Sequence, residues 1–187
     1  VVIWSIANEP ESDTAAAEKY FEPLFALTRS LDRTRPVGFV NVMLAPHGRC
    51  RVSQFGDVLM LNRYYGWYVH TGDLEAAERA LESELREWSQ LGKPIVMTEY
   101  GADTQPGLHS VTSEPWSEEY QTDLLAMSHR VFDRIDAVVG EQIWNFADFA
   151  AVQSIARVGG LNMKGIFTRT RQPKLAAHVL REFWVKK

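Results

Sequence analysis

VVIWSIANEP (residues 1–10) and PIVMTEYG (residues 94–101) share one pattern: a mostly apolar run that ends on a glutamate, Glu9 in the first and Glu99 in the second. Such runs read as strands covered on both faces, the form strands take in a parallel sheet flanked by helices. A carboxylate at the end of a buried strand is costly unless something uses it. What the two acids do therefore decides the reading of the chain.

Outward from these runs, strand-like and helix-like segments alternate. Val1–Ala7 reads as the first strand. Thr14–Leu31 follows as a helix, with Phe21, Leu24, Phe25, Leu27 and Leu31 at helical spacing. Pro36–Met43 and Asp57–Asn62 read as strands, and Leu74–Leu91 as an amphipathic helix stopped by Gly92. Ser117–Arg134 is a helix with Ser at its cap and acids in its first turn. Val138–Phe146 is the last strand, and Lys174–Trp184 the closing helix. This alternation predicts an α/β fold with a parallel sheet, as a (β/α) barrel or an open doubly wound sheet. No Gly-x-Gly-x-x-Gly or Walker-type loop follows a strand, so the nucleotide-binding version lacks support. Five strands are readable, against eight in a closed barrel. The expectation is a partial (β/α)8 TIM barrel with two open sheet edges.

Composition excludes several functions. A net charge of −4 and a pI near 5.8 argue against a nucleic-acid or anionic-membrane partner. No uninterrupted apolar stretch reaches the ~18 residues of a membrane span. One cysteine, Cys50, allows no intramolecular disulfide and reads as a bystander; with no Asn-x-Ser/Thr sequon, a reducing compartment is favoured. Six Trp, six Tyr and nine Phe supply core and, at strand ends, candidate platforms for sugar rings.

In a (β/α) barrel, reactive groups sit where strands end. Glu9 and Glu99 would then share one mouth, the arrangement glycoside hydrolysis requires: one carboxylic acid protonates the leaving oxygen while a second carboxylate attacks the anomeric carbon or stabilises its charge. Asn8, beside Glu9, suits a sugar hydroxyl. A nucleophile must stay ionised, and Tyr64 or Tyr65 offers Glu99 a donor; the sequence leaves open which. The physics favours Glu9 as acid/base and Glu99 as nucleophile.

WSIANEP (4–10) together with TEYGADT (98–104) resembles the retaining enzymes of glycoside hydrolase family 2, most of all those acting on glucuronides. LNRYYGWY (61–68), WSEEYQ (116–121), VVGEQIWNFADF (138–149) and NMKGIFTR (162–169) extend the resemblance along essentially the whole chain. It implies Glu9 as acid/base, Glu99 as nucleophile, and no metal or cofactor. The five strands would be the fourth to eighth of a barrel, whose front lies before residue 1, preceded by a sugar-binding-like β-sandwich and an immunoglobulin-like domain. The substrate would be a β-D-glucuronide, small or on a glycan. The whole protein would be a homo-oligomer, often a tetramer, in a bacterial cytoplasm. A β-galactoside or β-mannoside hydrolase, or a catalytically silent half-barrel, are the alternatives.

Telling a sugar carboxylate from a neutral hydroxymethyl group calls for a cation and an amide donor. The resemblance marks Asn162 and Lys164 as that clamp; without it, Lys164 reads as a solvated loop lysine. Leu161, inserted between Gly-Gly and Asn162, departs from the family pattern and suggests an approach loop one residue longer. The same resemblance makes Arg157 a substrate-facing arginine and places Asn62, Tyr64 and Tyr68 along the pocket. Trp144, near a strand end, suits stacking on a sugar ring. Asp148 and His109 read as turn or capping residues.

Overall fold

A computed structural model describes residues 1–185 of the chain. Two compact units emerge. The first comprises Val1–Arg63, Glu82–Glu99 and Asp133–Gln142; the second comprises Tyr64–Leu81, Tyr100–Phe132 and the chain from Ile143 onward. The first unit holds a five-stranded sheet: β1 (Trp4–Asn8), β2 (Val37–Asn41), β3 (Leu59–Asn62), β4 (Ile95–Glu99) and β5 (Val138–Glu141). The strands lie in chain order, and every pair is parallel. This is the neighbour relation of consecutive barrel strands, as expected. Helix α1 (Ala15–Leu31) links β1 to β2, α2 (Leu74–Ser89) links β3 to β4, and α3 (Glu118–Phe132) links β4 to β5. The crossing from β2 to β3 has only a single 3-10 turn, Ser53–Phe55. Helix α4 (Leu175–Val185) follows last.

Sequence explains the packing of the first unit. Thr14 caps α1, its hydroxyl accepting from Ala17 N at 3.1 Å. Phe21 and Phe25, one turn apart, meet Phe39 of β2 at ring distances of 6.0 and 6.4 Å. With Ala17, Val37 and Val52 they form a buried cluster. The central strands β2 and β3 are buried throughout, as continuous apolar runs should be.

The first strand corrects the expectation of cover on both faces. Val1 and Val2 are exposed, Trp4 is 37% exposed, and Val139 of β5 is 65% exposed. β1 and β5 are the two sheet edges, so each has a strand neighbour on one side only. The last strand is also shorter than read: pairing ends at Met97↔Glu141, so β5 stops at Glu141 rather than Phe146. Register shifts fall between Ser5 and Asn8 against β2, and between Leu61 and Asn62 against β4. Such irregularities re-aim side chains near active sites.

In the second unit, Ser117 caps α3 by accepting from Tyr120 N at 3.1 Å. Glu118 accepts from Gly107 N (2.8 Å) and from Leu175 N (2.6 Å), tying a loop and the start of α4 to α3. A short antiparallel ribbon pairs β6 (Phe149–Ala150) with β7 (Leu161–Asn162). Two-residue strands carry no periodicity, so the sequence did not reveal it. Among the described residues, no helix is long and apolar enough to cross a membrane.

Candidate active site

In the first unit the site is built on strand ends. Glu9, just past β1, has φ of 51°, in the left-handed region that non-glycine residues rarely adopt, and its N–H donates to Val40 O at 2.9 Å. Strain of this kind clusters at functional sites. Asn62, wholly buried at the end of β3, donates through Nδ2 to Glu9 Oε1 at 3.0 Å and to Asn8 Oδ1 at 3.5 Å. Its own Oδ1 accepts the Thr98 hydroxyl at 2.7 Å, which fixes which end of the amide faces Glu9. Asn62 is the cross-strand partner of Glu99. Asn8, Glu9, Asn62 and Glu99 thus all lie at the C-terminal ends of parallel strands of one sheet.

Next to these strand ends lies a residue that the sequence reading missed. Arg63 donates its backbone N–H to Glu99 O (2.8 Å). Its guanidinium, with no side-chain exposure, pairs with Glu84 at 2.8 Å and donates to Asn41 O, Asn62 O and Asn41 Oδ1 at 3.2, 2.8 and 2.7 Å. Glu84 also accepts from Trp88 Nε1 at 3.0 Å. Arg63 therefore straps together the ends of β2 and β3. The signal was present: Glu84 lies three residues after Leu81 and four before Trp88, on the buried face of α2.

The second unit brings Tyr64, Tyr68, Arg157 and Lys164 together. Lys164 is 1% exposed, so the reading as a solvated loop lysine fails. Its ammonium pairs with Asp103, donates to the Tyr68 hydroxyl at 3.1 Å, and sits 5.7, 5.4 and 4.9 Å from the ring centres of Tyr64, Trp67 and Tyr68. Arg157 pairs with the same Asp103 oxygen at 3.2 Å and donates to Tyr68 at 3.3 Å. Asp103 organises the cluster, yet was not singled out in TEYGADT. Asn162 Oδ1 accepts from Lys164 N at 3.2 Å. Trp144 lies edge-on to Phe149, ring centres 5.9 Å apart. Leu161 is accommodated in β7, with Ala151 N donating to Gly160 O at 2.8 Å.

A second buried ion pair corrects the turn role expected for Asp148. Lys174 Nζ donates to Asp148, Thr104 O and Met163 O, each at 2.9 Å, and Asp148 accepts from Gly165 N at 3.0 Å. Burial pushes the Asp148 carboxyl up and the Lys174 ammonium down from their ordinary values, each opposed by its partner. The pair staples the backbone on either side of Lys164. Gly165 is required there: a Cβ would lie 2.3 Å from Asp148 N. His109 is an exposed partner of Glu119 at 2.8 Å, tethering its loop to α3. Among the described residues, no group of three or more His, Cys, Asp or Glu is arranged to hold a metal ion.

Comparison with known proteins fits this geometry. The family described as glycosyl hydrolases family 2, TIM barrel domain, matches residues 1–187. A β-glucuronidase of Streptococcus agalactiae is 52% identical over 99% of this chain, and one of Paenibacillus borealis 49% over 98%. The chain spans 31% and 30% of those proteins, so about a third of their length. Among solved structures, a β-glucuronidase of an uncultured Clostridium superposes with a TM-score of 0.96 at 45% identity, covering 100% of this chain and 32% of that one. A Ruminococcus gnavus β-glucuronidase in complex with D-glucaro-d-lactam gives 0.94 at 44%, covering 98% and 32%.

Proposed function

The chain belongs to the glycosyl hydrolases of family 2, and we propose that it is the catalytic part of an enzyme that cleaves β-D-glucuronides with retention of configuration. Glu99 attacks the anomeric carbon as the glycosidic bond breaks, and Glu9 gives its proton to the departing oxygen. Water, deprotonated by Glu9, then displaces Glu99 from the glycosyl-enzyme. The donor at Glu9 Oε1 from Asn62 suits a carboxylate that must return to the same position for each proton transfer. In this reading Asn62 and Asn8 hold ring hydroxyls, Trp144 stacks on the sugar, and the reaction uses no cofactor.

The observation that carries the choice of sugar is the burial of Lys164 beside Arg157. A buried ammonium is retained only where its charge is used or balanced, and with Asn162 it matches the charge-assisted recognition of a uronate. The names borne by the relatives agree. We assign the five strands to the fourth to eighth positions of the barrel, and infer a homo-oligomer, a tetramer, working in the cytoplasm. Single Cys50 and the absent sequon support the compartment.

The test is turnover of nitrophenyl glucuronide, galactoside and mannoside by a full-length protein carrying this chain. Glucuronide should be strongly preferred, and Lys164→Ala should cripple its turnover far more than that of the neutral sugars. Equal losses on all three would refute the clamp.

A further inference from the structure

Lys164 and Arg157 would repel one another if left alone, and a buried charge without a partner is costly. Asp103, with no side-chain exposure, answers both problems. Its Oδ2 takes Lys164 and Arg157, and its Oδ1 accepts the N–H of Met163, the residue between the two clamp residues, at 2.8 Å. One carboxylate thus faces both cations of the clamp and fixes the path of its backbone. Two cations and one anion leave a net charge of +1, the complement of a single carboxylate. Lys164 has three N–H donors, of which Asp103 and Tyr68 take two, leaving one for a ligand oxygen.

Resting on the glucuronide reading above, we infer that Asp103 is a positioning residue that sets sugar specificity. It anchors Lys164 through an ion pair, and acts through Lys164 without itself reaching the sugar. An amide cannot substitute for it. Both Asp103 oxygens are acceptors, and Asn would turn an NH2 toward either the Met163 N–H or the two cations.

The experiment is a double-mutant cycle in a full-length protein carrying this chain, with kcat and KM measured on nitrophenyl glucuronide and nitrophenyl glucoside. Asp103→Asn should lower the glucuronide-to-glucoside ratio of kcat/KM by at least about tenfold, chiefly through the glucuronide KM. In a Lys164→Ala background the same change should move that ratio less than about twofold. Asp103→Glu, which keeps the charge, should retain more of the ratio than Asp103→Asn and covers the case in which the Asn variant fails to fold. Equal losses on both sugars, an undiminished effect in the Lys164→Ala background, or a Glu variant no more selective than Asn would each overturn the proposal. A parent enzyme that prefers the glucoside would instead remove the glucuronide reading on which it rests, a result visible before any substitution at Asp103.

Discussion

Asn62 reads Glu9 with one end of its amide and is itself read by Thr98 at the other: Nδ2 lies 3.0 Å from Glu9 Oε1, and Oδ1 lies 2.7 Å from the Thr98 hydroxyl. Because Thr98 neighbours Glu99 in β4, the amide links the strand ends that carry the two acids.

This link should be measurable in kinetics. Asn62→Ala removes the side-chain donor to Glu9 Oε1 and should lower kcat/KM by about 100-fold. Thr98→Val keeps the shape but frees the amide to turn over, and should cost about tenfold. Steady-state assays of the two variants check the order; a Thr98→Val enzyme as active as its parent would contradict it.

Stability should depend on the buried Arg63–Glu84 pair. Glu84→Gln leaves the guanidinium without its counter-charge and should destabilise the protein by about 3 kcal/mol. Replacing both members by apolar residues, Arg63→Met with Glu84→Leu, should cost less than the sum of the two single changes. Denaturant titration of Glu84→Gln, of Arg63→Met and Glu84→Leu singly, and of their double measures this, and strict additivity would argue against coupling.

Gly165 carries a prediction of its own. Adding a Cβ forces it within 2.3 Å of Asp148 N and 2.5 Å of Phe167 O, so the backbone beside Lys164 must move. Gly165→Ala should destabilise the protein by about 1–3 kcal/mol and raise the glucuronide KM more than the glucoside KM. Thermal unfolding with kinetics on both sugars tests it; an unchanged KM ratio would show that the backbone yields without disturbing the clamp.

A pH effect should appear at the edge of the second unit. The hydrogen bond and charge of Glu119 hold the His109 imidazolium above its ordinary value, while Ser110 N and His109 hold Glu119 below its own. A histidine raised on folding stabilises the folded state below about pH 6.5 and loses that contribution as pH rises through the folded value. Amide exchange in the loop between Gly107 and Ser117 should therefore quicken on going from pH 6 to pH 8.5 beyond its intrinsic rise. Proton NMR titration should place His109 above 6.5 in the parent and near it in Glu119→Gln. A histidine unmoved by that substitution would contradict the tether.

How much of this was legible follows from the range of the forces involved. The strands and helices came from local pattern, and so did the acids, because a charge ending an apolar run is conspicuous. Cover on the edge strands was misjudged because apolar content shows that a run can be buried, whereas place in the sheet decides whether it is. Asp103, Arg63 and Lys174 escaped because each is a charged residue made harmless by a partner distant in sequence: Lys164, Glu84 and Asp148 lie 61, 21 and 26 positions away. Nothing in the local window around Asp103, Arg63 or Lys174 themselves distinguishes them from solvated residues; for Arg63 the one signal lay in its partner, Glu84, on the buried face of α2. The fate of Lys164 shows the same limit from the other side, since only its surroundings turn a loop lysine into a caged cation.

The division of labour between the two acids is tested most directly by trapping. A full-length protein carrying this chain, treated with a 2-fluoro-glucuronide bearing a good leaving group, should accumulate a glycosyl-enzyme. Peptide mass spectrometry should find the sugar on Glu99, while Glu9→Gln slows release of the trapped sugar without moving its position. An adduct on Glu9 or elsewhere, or inactivation with no adduct at all, would contradict the assignment.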